Sequence, residues 1–101
     1  NVELQGRCRY SLGIAYEKEE KYEKARQLFT EAEKYLEKIE ASTVLLVYER
    51  MVDLCIRTHD LNSGFEICEK WKLKCLTEED KIKLEEKKKE LQDSMLSQHY
   101  Q

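Results

Sequence analysis

With 101 residues the chain can build one compact core and is too short for two. Charged residues make up 39% of it and proline is absent, which excludes a proline-rich extended chain and favours helices, because proline disrupts a helix interior at about 3 kcal/mol. Formal net charge is -3 with the two signs interleaved, so no broad positive face is expected for a phosphate backbone, and direct nucleic-acid binding is not expected.

No apolar run approaches the roughly 20 residues that cross a bilayer, and the N-terminus lacks a signal-peptide pattern. Beginning at Asn1 rather than methionine, the sequence reads as a segment of a longer chain. Cys8, Cys55, Cys68 and Cys75 have no close metal or redox spacing, so they read as small core hydrophobes in a reducing cytoplasmic or nuclear setting, with no metal or cofactor expected. The basic run Lys87-Lys88-Lys89 lies among glutamates and reads as a solvated helix face.

In chain order, helical spacing predicts a first helix from about Val2 to Lys18, with Leu4, Cys8, Leu12, Ala15 and Tyr16 as its buried stripe. Gly13 costs about 1 kcal/mol relative to alanine in a helix, so close approach of a neighbour is its expected reason. A second helix should run from Lys21 or Tyr22 to about Ile39, turning Tyr22, Ala25, Leu28, Phe29, Ala32, Tyr35, Leu36 and Ile39 inward. The short link makes the two an antiparallel hairpin.

Ser42 or Thr43 is the expected cap of a third helix, Thr43 to Thr58, burying Val44, Leu45, Val47, Tyr48, Met51, Val52, Cys55 and Ile56. Asp60 should cap a fourth, Leu61 to about Cys75, with Leu61, Gly64, Phe65, Ile67, Cys68, Trp71 and Leu73 inside. Thr77-Glu78-Glu79-Asp80 approaches a capping box before a fifth helix, Glu78 to about Ser97, whose apolar contacts are Ile82, Leu84, Leu91, Met95 and Leu96. Gln98 to Gln101 should fray.

Leu12, Gly13, Tyr16, Tyr22, Ala25, Phe29 and Ala32 together resemble one tetratricopeptide repeat. A shift of 39 residues pairs Leu12 with Met51, Tyr16 with Cys55, Ala25 with Gly64 and Phe29 with Cys68, whereas Trp71 falls on Ala32, so the second unit resembles a degenerate repeat. The family's usual period is about 34. The longer one is similar to the repeats of kinesin light chains and of G-protein-signalling modulators that orient spindles, and implies helices lengthened near Leu36 to Ser42. Glu19-Glu20-Lys21 departs from the family's glycine- or asparagine-like turn, and Arg9 stands where a large aromatic is common.

The resemblance implies an all-α, solenoid-like stack of hairpins: residues 2–39 and 43–75 as two repeats, and residues 77–101 as a capping helix and tail, the alternative for that helix being the start of a third repeat. It also implies a concave groove carrying Arg7, Tyr10, Ser11, Ile14 and Glu17 from the first unit and Leu46, Glu49, Arg50, Asp53 and Arg57 from the second. Tyr10, Arg50 and Arg57 are the expected anchors for a protein or peptide partner. Tyr10 and Ile14 occupy positions where chaperone-binding relatives carry a clamp lysine and asparagine, which disfavours that ligand class. No nucleophile motif, phosphate loop or paired acid and base points to catalysis, so an enzyme is not expected. The competing expectation is an oligomerisation or structural segment, with Met51, Phe65 and Trp71 as contacts between units.

Overall fold

In the computed structural model, which describes residues 1–39 and 41–99, five helices follow one another. They are α1 (Val2–Lys18), α2 (Tyr22–Leu36), α3 (Ala41–Arg57), α4 (Leu61–Lys74) and α5 (Glu78–His99), and the described residues contain no strand. The Asn1 side-chain oxygen accepts from the Leu4 amide at 3.2 Å and so caps α1. The Thr77 hydroxyl oxygen does the same for the Asp80 amide at 3.1 Å, as expected for α5.

Both hairpins turn through the same backbone device. Lys21 N–H donates to the Tyr16 carbonyl at 2.9 Å and Glu20 N–H to the Glu17 carbonyl at 3.0 Å. Thirty-nine residues later, Asp60 donates to Cys55 at 2.9 Å and His59 to Ile56 at 3.3 Å. This is a Schellman closure, whose penultimate residue must be left-handed. Glu20 (φ 62°) and His59 (φ 59°) adopt that conformation without being glycine. The 39-residue recurrence is therefore present in the backbone, including at the turn where the residue type departs from the resemblance.

Along the chain each helix packs on the next, and α3 also touches α1 and α5. The core runs through Ala25, Phe29, Ala32, Leu36, Val44, Val47, Tyr48, Val52, Cys68, Trp71 and Leu91. Trp71 is buried at 1% exposure, in keeping with its expected inward place in α4, while Met51 and Phe65 pack partly buried against the core.

The expected buried stripe of α1 is turned outward: Leu4 is 61% and Leu12 50% exposed, Cys8 and Ala15 are exposed, and Tyr16 is half-buried. The buried residues of α1 are Gly6 and Gly13, both against α2, and Glu17. A Cβ on Gly13 would lie 2.6 Å from Phe29 Cε1, so a bare backbone is what allows the helices to close around the ring. That approach, rather than burial of the leucines, sets the rotation of α1.

Other boundaries shift for local reasons. α2 stops at Leu36, where the Ile39 amide bonds the Leu36 carbonyl at 3.2 Å and tightens the chain, leaving Ile39 exposed. Of the stretch expected to lengthen the helices, residues 37–39 follow the end of α2, whereas Ala41 and Ser42 belong to α3. α3 begins at Ala41, so Ser42 and Thr43 sit inside its first turn rather than capping it. Leu73, Ile82, Met95 and Leu96 are exposed. Leu84 and Leu91, two turns apart, form the narrow line of α5 that reaches the core, with Leu91 over the bare backbone of Gly64. α5 continues through Gln98 to His99, while Tyr100 and Gln101 of the expected frayed tail lie outside the described residues.

Candidate functional site

Between the outer edge of α1 and the start of α3 lies a groove of about 400 Å³. Arg7, Tyr10 and Ser11 form one wall, Ser42, Thr43 and Leu46 the other, and Leu36 closes it from α2. Four of the residues expected in a groove thus meet there. Leu36 was assigned wholly to the core, and Ser42 and Thr43 to a cap, so the sequence pattern passed over three lining residues. An offset of one turn from Leu46 back to Thr43 is the signal that could have added the last two.

Tyr10 is anchored from behind, its ring 6.2 Å from that of Phe29 and inclined at 50°. Ile14 packs partly buried against the core one turn further along α1. Arg7 is held on the rim by Glu3, four residues earlier, at 3.0 Å. Leu46 is 48% exposed, leaving an apolar side chain open to the groove. The wall chemistry is apolar and hydroxylic with the Arg7 guanidinium at its margin.

Three more residues of the expected face, Glu17, Asp53 and Arg57, are tied into ion pairs. Glu17, 4% exposed, is met by Arg57 at 3.6 Å. Burial raises its pKa above 4.5, against the opposing pull of Arg57 and Arg50, and its Oε1 has no hydrogen-bond partner. Arg57 therefore links α3 to α1 while its side chain stays 57% exposed. Asp53 accepts from Lys87 of α5 at 2.6 Å, and Lys87 also reaches Glu90 at 3.2 Å. Burial works against the charge of Lys87, but its hydrogen bonds and charge attraction to Asp53 and Glu90 together outweigh that and its pKa is raised. So Lys87 leaves the solvated run to which sequence assigned it. Glu49 and Arg50 remain half-buried on α3.

Two further pairs join the hairpins on the opposite side. Arg26 of α2 donates to Asp60, which lowers the pKa of that carboxyl, and Lys70 of α4 reaches Glu33 at 3.3 Å. Asp60 thus occupies the cap position of α4 but directs its carboxylate to α2. Burial and the nearby Glu33 raise the Tyr48 pKa, so that phenol stays protonated. Burial likewise pushes the Cys55 and Cys68 thiols up to about 11, which makes them poor nucleophiles.

Among the described residues there is no group of three potential metal ligands, and no helix is long and apolar enough to cross a membrane. Comparison with protein-family models, curated proteins and solved structures gives no match.

Proposed function

We propose that the chain is a non-enzymatic, tetratricopeptide-like interaction module that captures a short peptide or helix of a partner protein between α1 and α3. The observation that carries this reading is the groove itself: about 400 Å³, open to solvent at Leu46 and rimmed by Arg7, with Tyr10 braced by Phe29. A pocket of this size admits one apolar side chain and its neighbours rather than a broad surface. The recurrence of helix, turn and hydrogen-bond positions at 39 residues supports the repeat reading. Four free cysteines, two of them buried, suit a reducing cytoplasmic or nuclear setting.

The alternative, a structural or oligomerisation segment, is favoured by the exposed leucines of α1 and by Leu73 and Leu76, 86% and 78% exposed. Two substitutions separate the readings without touching the core. Leu46→Asp and Ser11→Glu alter the two walls of the groove while Arg57 keeps its bond to Glu17. Partners retained by immobilised wild-type chain should be lost on both variants, with helicity and monomer mass unchanged. If both variants retain the same partners as wild type, the groove is not the binding site.

A further inference from the structure

A Cβ on Gly6 would lie 3.2 Å from Tyr35 Cβ, so the bare backbone of α1 lets Tyr35 of α2 settle against it. The Arg9 guanidinium then lies over the Tyr35 ring, 4.5 Å from its centre. Its Nη1 donates to the Gln5 carbonyl at 3.2 Å and its Nε faces the Glu31 carboxylate at 3.5 Å, while Nη2 has no partner among the described residues. A ring, a carbonyl and a carboxylate thus fix the arginine and leave one corner of its fork free. Beside it, Lys34 and Lys38 stand one turn apart on the exposed side of α2, where like charges repel. Together Arg9, Glu31, Lys34, Tyr35 and Lys38 line a cavity of about 290 Å³ that shares no residue with the groove between α1 and α3.

Charge sets this cavity apart. Three cations, Arg9, Lys34 and Lys38, share it with one carboxylate, Glu31, in a chain whose formal net charge is -3. The next acid along α2, Glu37, is not among the lining residues. With Glu31 engaged at Arg9 Nε, two positive charges are left over. We infer that the cavity receives a phosphate monoester carried on a side chain of a partner protein. A doubly charged phosphoryl group balances the surplus and offers its oxygens to Arg9 Nη2 and to the two ammonium groups. A single carboxylate would neutralise only half of it. Nucleic acid and anionic membrane are disfavoured, because each presents rows of phosphates and draws its affinity from many cations, which this small patch among interleaved charges does not supply.

Nuclear magnetic resonance titration of the isotope-labelled chain with acetyl-phosphotyrosine amide, at about pH 7.5 where the phosphate is a dianion, tests this. Saturable shifts should appear at the Arg9 Nε–H and at the amides of Lys34, Tyr35 and Lys38, and acetyl-tyrosine amide should produce none. The singly charged sulfotyrosine analogue should bind at least about threefold more weakly. Lys34→Gln with Lys38→Gln should lower the affinity at least about tenfold, because two charge-assisted contacts go. Glu31→Gln should raise it, since the cavity loses its repelling carboxylate, and Leu46→Asp in the other groove should leave it unchanged. No saturable shift, equal binding of phosphate and sulfate, or weaker binding on Glu31→Gln would overturn the assignment. So would retention on phosphatidylserine vesicles or single-stranded RNA that the two-lysine variant loses while the phosphotyrosine probe gives no shift, since the patch would then read a polyanion.

Discussion

Glu17 shows how one side chain can hold two helices and still oppose folding. Its carboxylate leaves water on the α1 face and gains Arg57, with Arg50 nearby, yet one oxygen stays without a hydrogen bond. The burial cost exceeds the coulombic return, as a raised pKa states directly. A carboxyl whose folded pKa lies above its unfolded value binds more protons in the native state, so stability falls as pH rises through that window. For Glu17 the decline starts near 4.5 and continues up to the raised value. Asp60 works in the opposite direction: its lowered pKa contributes stability that is lost as pH falls through the folded value. Glu17→Gln should therefore remove a descending component from the stability curve above pH 4.5 while keeping the acid limb that Asp60 supplies. Urea midpoints from about pH 2 to pH 8 would read both limbs. A variant curve parallel to wild type throughout would mean that Glu17 is well solvated or fully compensated.

At the scale of helices, period and length were readable because five charged, proline-free segments repeat apolar residues at helical spacing. Rotation was readable for α2 and α3, where Ala25, Phe29, Val44 and Tyr48 point inward as expected. It failed for α1 because its most deeply buried positions are Gly6, Gly13 and Glu17, which no count of apolar residues rewards, while Leu4 and Leu12 mark the face left open. It failed in part for α5 because only the line of Leu84 and Leu91 reaches the narrow seam over Gly64. The groove was half readable for the same reason: Tyr10 and Leu46 followed from register, whereas Asp53 and Arg57 were drawn into ion pairs that depend on neighbouring helices. The glycine argument makes a test of the α1–α2 contact. Gly13→Ala would gain about 1 kcal/mol of helix propensity, but its methyl meets Phe29 Cε1 at 2.6 Å and Cδ1 at 2.7 Å. Overpacking against a rigid ring costs about 1 to 3 kcal/mol, so a net loss is expected, with an unchanged denaturant slope. A gain in stability would show that the ring moves aside and that the glycine does not set the helix rotation.

For the whole molecule, contacts follow chain order: α1 with α2, α2 with α3, α3 with α4, and α5 closing on α3 and α4. Among the described residues no contact links α5 to α1 or α2, so a disturbance at the C-terminal end reaches the N-terminal hairpin through the α2–α3 seam with its ion pairs and through the smaller α1–α3 contact at Glu17 and Arg57. In such near-neighbour architectures stability is close to a sum of local and interface contributions. Leu91 is the residue on which to try this, being fully buried against Gly64, while Leu96 on the same helix is 51% exposed. Leu91→Ala should cost about 2 to 5 kcal/mol, whereas Leu96→Ala should stay within about 0.5 kcal/mol of wild type. Hydrogen exchange then gives the spatial answer. Loss of the Leu91 contact should accelerate exchange in α5 and α4 first and in α3 next, leaving α1 and α2 near their wild-type rates, because the hairpin around Phe29 keeps its own packing. Uniform acceleration across all five helices would instead mean that the α2–α3 seam transmits the loss in full and that the two hairpins unfold as one unit.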